Sequence, residues 1–366
     1  MKLGWFMVAM MLSYGTAQSA LDWIRVDTKR RGFVGQESGR PFVPWGFNYD
    51  HDAAGQLLED YWEEEWDRVV EDFREMRELG ANLVRIHLQL GRFMRSEQEP
   101  NQEALQRLGM LLDLAEAEEL YLDLTGLGCY HRADVPSWYE SLDETARWRV
   151  QARFWRAVAG RCAASPALFC YDLMNEPVVP GGQGRRDDWL GPAFGGKHFV
   201  QFIALEAKGR SRAEIAGAWM KQLIEQIRQV DRRHLITVGL VPWSLDRPGQ
   251  LSSGFTPELV ADQVDFISVH LYPEDEKWPE SVETLRAFAV GRPVVVEEIF
   301  PLKCSIEQLE QFWRASRQVA AGWVGFYWGE PPAALEKSGT IADSLMLAWL
   351  RFFASRASEA KQAAAE

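Results

Sequence analysis

No stretch of this 366-residue chain carries about 18 apolar residues without a charge, and the early run from Leu3 to Leu12 stops well short of that. A bilayer-spanning helix is therefore not expected once any leader is removed. Basic residues are also in deficit: 40 Lys and Arg face 53 Asp and Glu, a formal charge of -13. Phosphate binding needs basic faces, and no Lys/Arg block supplies one, which argues against a nucleic-acid partner. Cysteines are few, at Cys129, Cys162, Cys170 and Cys304. A chain of this size does not need a disulfide framework, so bridges in any of three full pairings and buried free thiols both stay open. Linkers rich in Ser or Pro and short repeats are missing too, and the only biased block is the Ala/Glu-rich tail after Ala354. One domain is expected.

What the chain does contain begins with a targeting signature. Met1-Lys2 is a short basic start, Leu3–Leu12 an apolar core, and Ala17-Gln18-Ser19 a small-residue cleavage site. Residues 1–19 read as a signal peptide, with an uncleaved anchor as the alternative, and a secreted or periplasmic protein follows. Residues 20–356 then form the folded domain and 357–366 a polar tail. Tryptophan is abundant, at 16 residues. Trp45, Trp138, Trp189, Trp243 and Trp278 lie at expected strand ends or loops, where indoles either pack or stack on ligands.

Along the mature chain, short buried runs alternate with amphipathic ones. A hairpin over Ile24–Val34 is placed to plug the bottom of a barrel. Strands are expected at Phe42–Asn48, Asn82–Leu88, Tyr121–Thr125, Leu168–Asn175, Leu235–Gly239, Phe266–His270, Val294–Glu298 and Gly325–Trp328. Helices are expected over Trp62–Leu79, Gln102–Glu119, Asp143–Ala164, Arg212–Val230, Val282–Ala289, Ile306–Ala320 and Ile341–Ala354. Gly80 closes the first of these, and the helix after the fifth strand has the weakest pattern. Eight strands joined by right-handed helical crossovers favour a single (β/α)8 TIM barrel of the α/β class.

The fourth strand ends in Asn175-Glu176-Pro177, where proline stops the ladder and a carboxyl is left on a rigid strand tip. The seventh, Val294-Val295-Val296, ends in Glu297-Glu298. Alternation is expected to send one of these two acids into the barrel and the other toward the helices; Glu298 is favoured as the inward one, with Glu297 as the fallback. Strands four and seven face each other across a barrel mouth. Two carboxyls about 5 Å apart suit a nucleophile and an acid/base flanking one glycosidic bond. His87 is read as a strand residue on the opposite face, and Asp50-His51-Asp52 as no metal site, because three adjacent side chains do not converge easily on one ion.

Asn175-Glu176-Pro177 followed by Pro293-Val-Val-Val-Glu-Glu298 resembles the retaining (β/α)8 glycoside hydrolases of family 5 and its clan, which include cellulases and mannanases. The resemblance implies Glu176 as acid/base, Glu298 as nucleophile and Asn175 as a ligand of the sugar 2-hydroxyl. Arg85 matches the arginine that orients the nucleophile, His270 and Tyr272 the pair on strand six, and Trp328 the tryptophan beneath the reacting sugar. One departure stands out: Leu122-Asp123-Leu124 is followed by Thr125 where the family usually has histidine, and His131 in the next loop is the candidate replacement. The resemblance implies hydrolysis of β-linked mannan or glucan by double displacement with no cofactor, on an oligo- or polysaccharide partner. A binding barrel that has lost turnover, or a transglycosylase on the same scaffold, are the alternatives.

Overall fold

The structure, a computed structural model, describes residues 21–362 apart from Arg30, Ala53 and Gln183. The candidate leader at residues 1–19 lies outside the described residues. Eight parallel strands close on themselves: Trp45–Asn48, Leu83–Gln89, Tyr121–Gly128, Leu168–Asn175, Leu235–Leu240, Ile267–His270, Val294–Ile299 and Ala320–Gly325. The last pairs back onto the first through Trp323 and Trp45. Every residue of the second, third and fourth strands is buried, because helices cover one face and the barrel interior the other. Gly46 is demanded by that closure: a Cβ there would lie 1.6 Å from the carbonyl oxygen of Leu83.

The helices start where their sequences cap them. Asp143 accepts from the Ala146 amide at 2.8 Å to open Glu144–Cys162, and Ser211 with Glu214 forms a reciprocal box before Arg212–Arg228. After the fifth strand the helical segment is only Pro257–Ala261, which accounts for its faint pattern. At the amino-terminal end of the barrel, the hairpin Ile24–Asp27 and Gly32–Gly35 inserts Phe33 edge-on against Phe169 and Phe266, at 5.0 and 5.2 Å. The floor is thus apolar and closed by aromatic packing.

Two segment ends depart from expectation. The eighth strand lies earlier than expected, at Ala320–Gly325, with the preceding helix ending at Ser316. Ala320-Ala321 reads as helix by propensity, but Gly322 lets the strand run against the Pro44 ring, 2.8 Å from where a Cβ would sit. The final helix, Ile341–Gln362, continues past Ala354 through much of the segment read as a polar tail. Buried Ala357 and Ala360 dock it, and a Cβ at Gly80 would meet Ala357 at 2.6 Å. All four cysteines are unpaired thiols.

Candidate active site

The carboxyl-terminal ends of the strands deliver the site. Glu176 follows the fourth strand with φ +48°, a left-handed conformation that non-glycine residues rarely adopt. Its amide donates to the Gly239 carbonyl at 3.1 Å, which fixes the turn and aims the side chain over the barrel mouth. Asn175 sits just below; its Oδ1 accepts from Arg85 at 3.0 Å and its Nδ2 donates to the Phe199 carbonyl at 3.1 Å.

Arg85 is the hub. Fully buried on the second strand, its guanidinium donates to Glu298 Oε1 at 2.8 Å, Asp172 Oδ2 at 2.8 Å and Asn48 Oδ1 at 2.9 Å, with Glu297 Oε2 at 3.4 Å. Burial alone would depress its pKa, but Glu297, Asp172 and Glu298 outweigh that and hold it well above the ordinary value. The acids divide around it. Burial would raise Glu297, yet Arg85 and His270 hold it down at about 2. Asp172 is pushed up to about 6 by burial and by Glu297, and burial with the same neighbour drives Asp123 well above the carboxylate range. One guanidinium thus holds Glu297 down, while burial and neighbouring charge push Asp172 and Asp123 in the opposite direction.

His270 ties the two acids at the mouth together. Its Nδ1 lies 2.9 Å from Glu176 Oε1 and 3.5 Å from Glu298 Oε1, and its Nε2 lies 3.4 Å from Glu297. Gly239 leaves room for the ring, since a Cβ there would fall 2.9 Å from Nε2. Glu298 also accepts from the Tyr272 hydroxyl at 2.5 Å, so both its oxygens are held. One ligand atom from each of Glu176, His270 and Glu298 falls within 4.8 Å of the others, a spacing that suits a divalent cation on geometry alone. Burial would lower the His270 pKa, but Glu298, Glu176 and Glu297 raise it to about 10, so the ring serves as the cation between these acids.

That shift predicts a pH signature. A histidine whose folded pKa is raised from 6.5 to about 10 contributes stability that is complete below pH 6.5 and lost as pH rises through about 10. The stability difference between wild type and His270→Gln should therefore shrink across this window. Denaturant unfolding at intervals from pH 6 to 10.5 measures it, and a constant difference rejects the ion pairing.

A cleft of about 650 Å³ opens above these groups, with His51, Glu176, Phe199, Trp243, Tyr272, Glu298, Phe300, Phe326 and Tyr327 among its walls. Arg85, Asn175, Glu176, His270, Tyr272 and Glu298 come together as expected. Trp328 does not join them: with the strand ending at Gly325, Phe326 and Tyr327 reach the cleft and Trp328 is wholly buried against Phe47. His131 lies in a separate depression with Gln89 and Asp134. The space below is taken by Tyr130, bonded to His87, and Thr125 donates to Asp172 at 2.7 Å. Of the candidate stacking tryptophans only Trp243 lines the cleft, whereas Trp45 stacks on Phe353 at 4.0 Å.

Two readings of strand faces are corrected. Neither Glu297 nor Glu298 points to the helices, because the ladder shifts register between Val296 and Ile299, and this bulge turns both acids inward. His87 likewise faces inward, two residues from Arg85, with Nε2 3.1 Å from Asn48. Asp172, Asn48, His51 and Lys197 were not singled out from sequence as site residues. Period-two counting from Arg85 and Asn175 finds His87 but not Asp172, since another register shift separates Asp172 from Asn175.

A closed parallel barrel with two carboxylates facing each other over a buried arginine defines a barrel of the glycosidase type. The chain belongs to glycosyl hydrolase family 5: the family's Cellulase model matches residues 39–329. Curated relatives include mannan endo-1,4-β-mannosidase A of Podospora anserina, 25% identical over 62% of this chain and 60% of that protein, and the enzyme of the same name from Emericella nidulans, 24% identical over 66% and 61%. The match thus spans about three-fifths of these relatives' length. Among solved structures, the exo-β-1,4-mannosidase Op5Man5 of an Opitutaceae bacterium has the same fold, with TM-score 0.69, 18% identity, and coverage of 93% of this chain and 63% of that one. So does a GH5_18 protein of Bifidobacterium longum in complex with Manβ1-4GlcNAc, with TM-score 0.63, 16% identity, and coverage of 87% and 78%.

Proposed function

We propose that this protein is a secreted, retaining glycoside hydrolase that cleaves β-1,4-mannan internally. The observation that carries the reading is the approach of Glu176 and Glu298 to within 4.8 Å, short of the roughly 6.5–9.5 Å that inverting enzymes keep for a water. Glu298 attacks the anomeric carbon as the bond to the glycosidic oxygen breaks, and Glu176 gives that oxygen its proton. Water then replaces the carboxylate at the anomeric carbon, with its proton passing to Glu176. Arg85 and Tyr272 hold the two Glu298 oxygens in place, and Asn175 keeps an amide hydrogen for the sugar.

The mannan preference and internal cleavage are supported by the names of the sequence relatives, and export by the leader pattern of residues 1–19. Hydrolysis of β-1,4-mannan, β-1,4-glucan and mannooligosaccharides, followed by proton NMR of the first reducing ends, tests all three parts. Mannan should be cut faster than glucan, into a spread of oligomers whose new ends are first β. Initial α products would reject retention, and release of single terminal sugars alone would reject internal cleavage.

A further inference from the structure

Beyond the catalytic groups, one wall of the cleft carries a lysine that no described residue holds by a hydrogen bond or ion pair, although its charge helps to lower the pKa of buried Asp50. Lys197 is 5% exposed, lines the cleft, and has no ion pair or hydrogen bond from its Nζ among the described residues. Its Nζ is not among the enclosed polar atoms, so the mostly buried stem brings the ammonium to the water of the cleft, which an oxygen of a ligand can replace. The backbone that places it is a two-residue hairpin. Phe194 and Lys197 exchange amide-to-carbonyl bonds at 2.8 and 3.0 Å, and the intervening Gly195 and Gly196 both have positive φ, +55° and +80°. Paired central residues of that hand make a tight primed turn, which glycine alone adopts without strain.

A directly paired couple in a hairpin presents its side chains to one side. Phe194 and Lys197 both line the cleft, but to different depths. The Phe194 ring stands 66% exposed at the rim, while the Lys197 stem runs inward until Nζ is 3.2 Å from where a Cβ of Gly55 would sit. Gly55 itself has φ +85°, so the ammonium occupies ground that a side chain there would contest. An exposed flat apolar face beside an unpaired triple donor is complementary to a pyranose, which offers an apolar ring face and oxygens at its edge.

We propose that the Phe194–Lys197 hairpin is a sugar subsite away from the cleavage point, with Phe194 as the ring platform and Lys197 donating to an oxygen of the same sugar. The inference rests on the glycan-cleaving reading above and specifies where the chain binds the rest of its substrate. Contacts to a sugar other than the one at the cleaved bond act on substrate and transition state alike, so they lower KM and leave kcat largely alone.

The test compares Phe194→Ala and Lys197→Met with wild type on an aryl β-mannobioside and on mannohexaose. Each variant should raise KM for mannohexaose by about tenfold with kcat changed less than about twofold. KM for the aryl mannobioside should stay within about twofold, because a short substrate spends no binding energy on a distant subsite. Lys197→Arg, which keeps a charged donor, should recover part of the loss. Unchanged kinetics on mannohexaose in either variant, or equal damage on both substrates, overturns the subsite. If wild type cleaves neither substrate, the glycosidase reading fails instead, and the two failures are distinguishable. A hexasaccharide bearing a glycuronic acid separates the possible oxygens: a gain over the neutral chain that disappears in Lys197→Met marks a carboxylate partner, and no gain marks a hydroxyl.

Discussion

Glu298→Ala should lose activity by a factor on the order of 10⁵ while remaining folded. The fold survives because Arg85 keeps Glu297, Asp172 and Asn175 as partners, and the removed carboxylate stood at the open end of the cluster. Azide supplies a sharper test than the loss itself. In Glu298→Ala, a small anion enters from the side the nucleophile occupied and attacks an activated β-mannoside, giving the α-glycosyl azide as the aryl oxide departs. In Glu176→Ala, the glycosyl-enzyme on Glu298 still forms from an activated substrate, and azide then displaces Glu298 to give the β-glycosyl azide. The two variants should therefore yield azides of opposite anomeric configuration by NMR. The same anomer from both, or rescue of neither, sinks the assignment of roles.

Arg85→Met should bring the largest loss of stability of any single change at the site. It removes one charge and leaves Glu297 and Asp172, both wholly buried, without their main counterion. Breaking a buried pair in this way costs about 3–5 kcal/mol, a large share of the roughly 5–15 kcal/mol that holds a domain together. Chemistry suffers with it. Arg85 is among the charges that hold Glu298 ionised against burial, so without it the Glu298 pKa rises further and the acid limb of kcat/KM moves to higher pH. Denaturant unfolding and a pH–rate profile read the two effects separately. A variant within about 1 kcal/mol of wild type would show that the guanidinium is not the keystone of the cluster.

The barrel was legible because its evidence is redundant. Eight apolar runs, seven clear amphipathic stretches and their caps agree with one another, so errors at Ala320 or Ala354 do not disturb the count. Glu176 and Glu298 were legible for a different reason, since Pro177 marks where the fourth strand has stopped and the valine run of the seventh gives way to acids near its end. The rest of the site depended on geometry that periodicity does not carry. Bulges near Asp172 and Glu297 break the two-residue repeat at the positions where facing matters most. Trp328 shows the same limit from the other side: a strand end misplaced by a few residues moved an indole from the hydrophobic core to the sugar. Lys197 lacked any sequence signal, because a lysine in a glycine-rich loop is ordinarily solvated, and only the folded hairpin buries it.

The aromatic floor set by Phe33, Phe169 and Phe266 bears on how the ionic cluster above it exchanges protons. Below Arg85 the barrel axis is sealed by packed rings, so the mouth is the gateway for water and hydronium. A glycan lying across Glu176 and Glu298 covers that gateway. Proton exchange between the buried carboxylates around Arg85 and the solvent should therefore slow while a sugar is bound, and resume when the departing sugar lets in the water that the second step consumes.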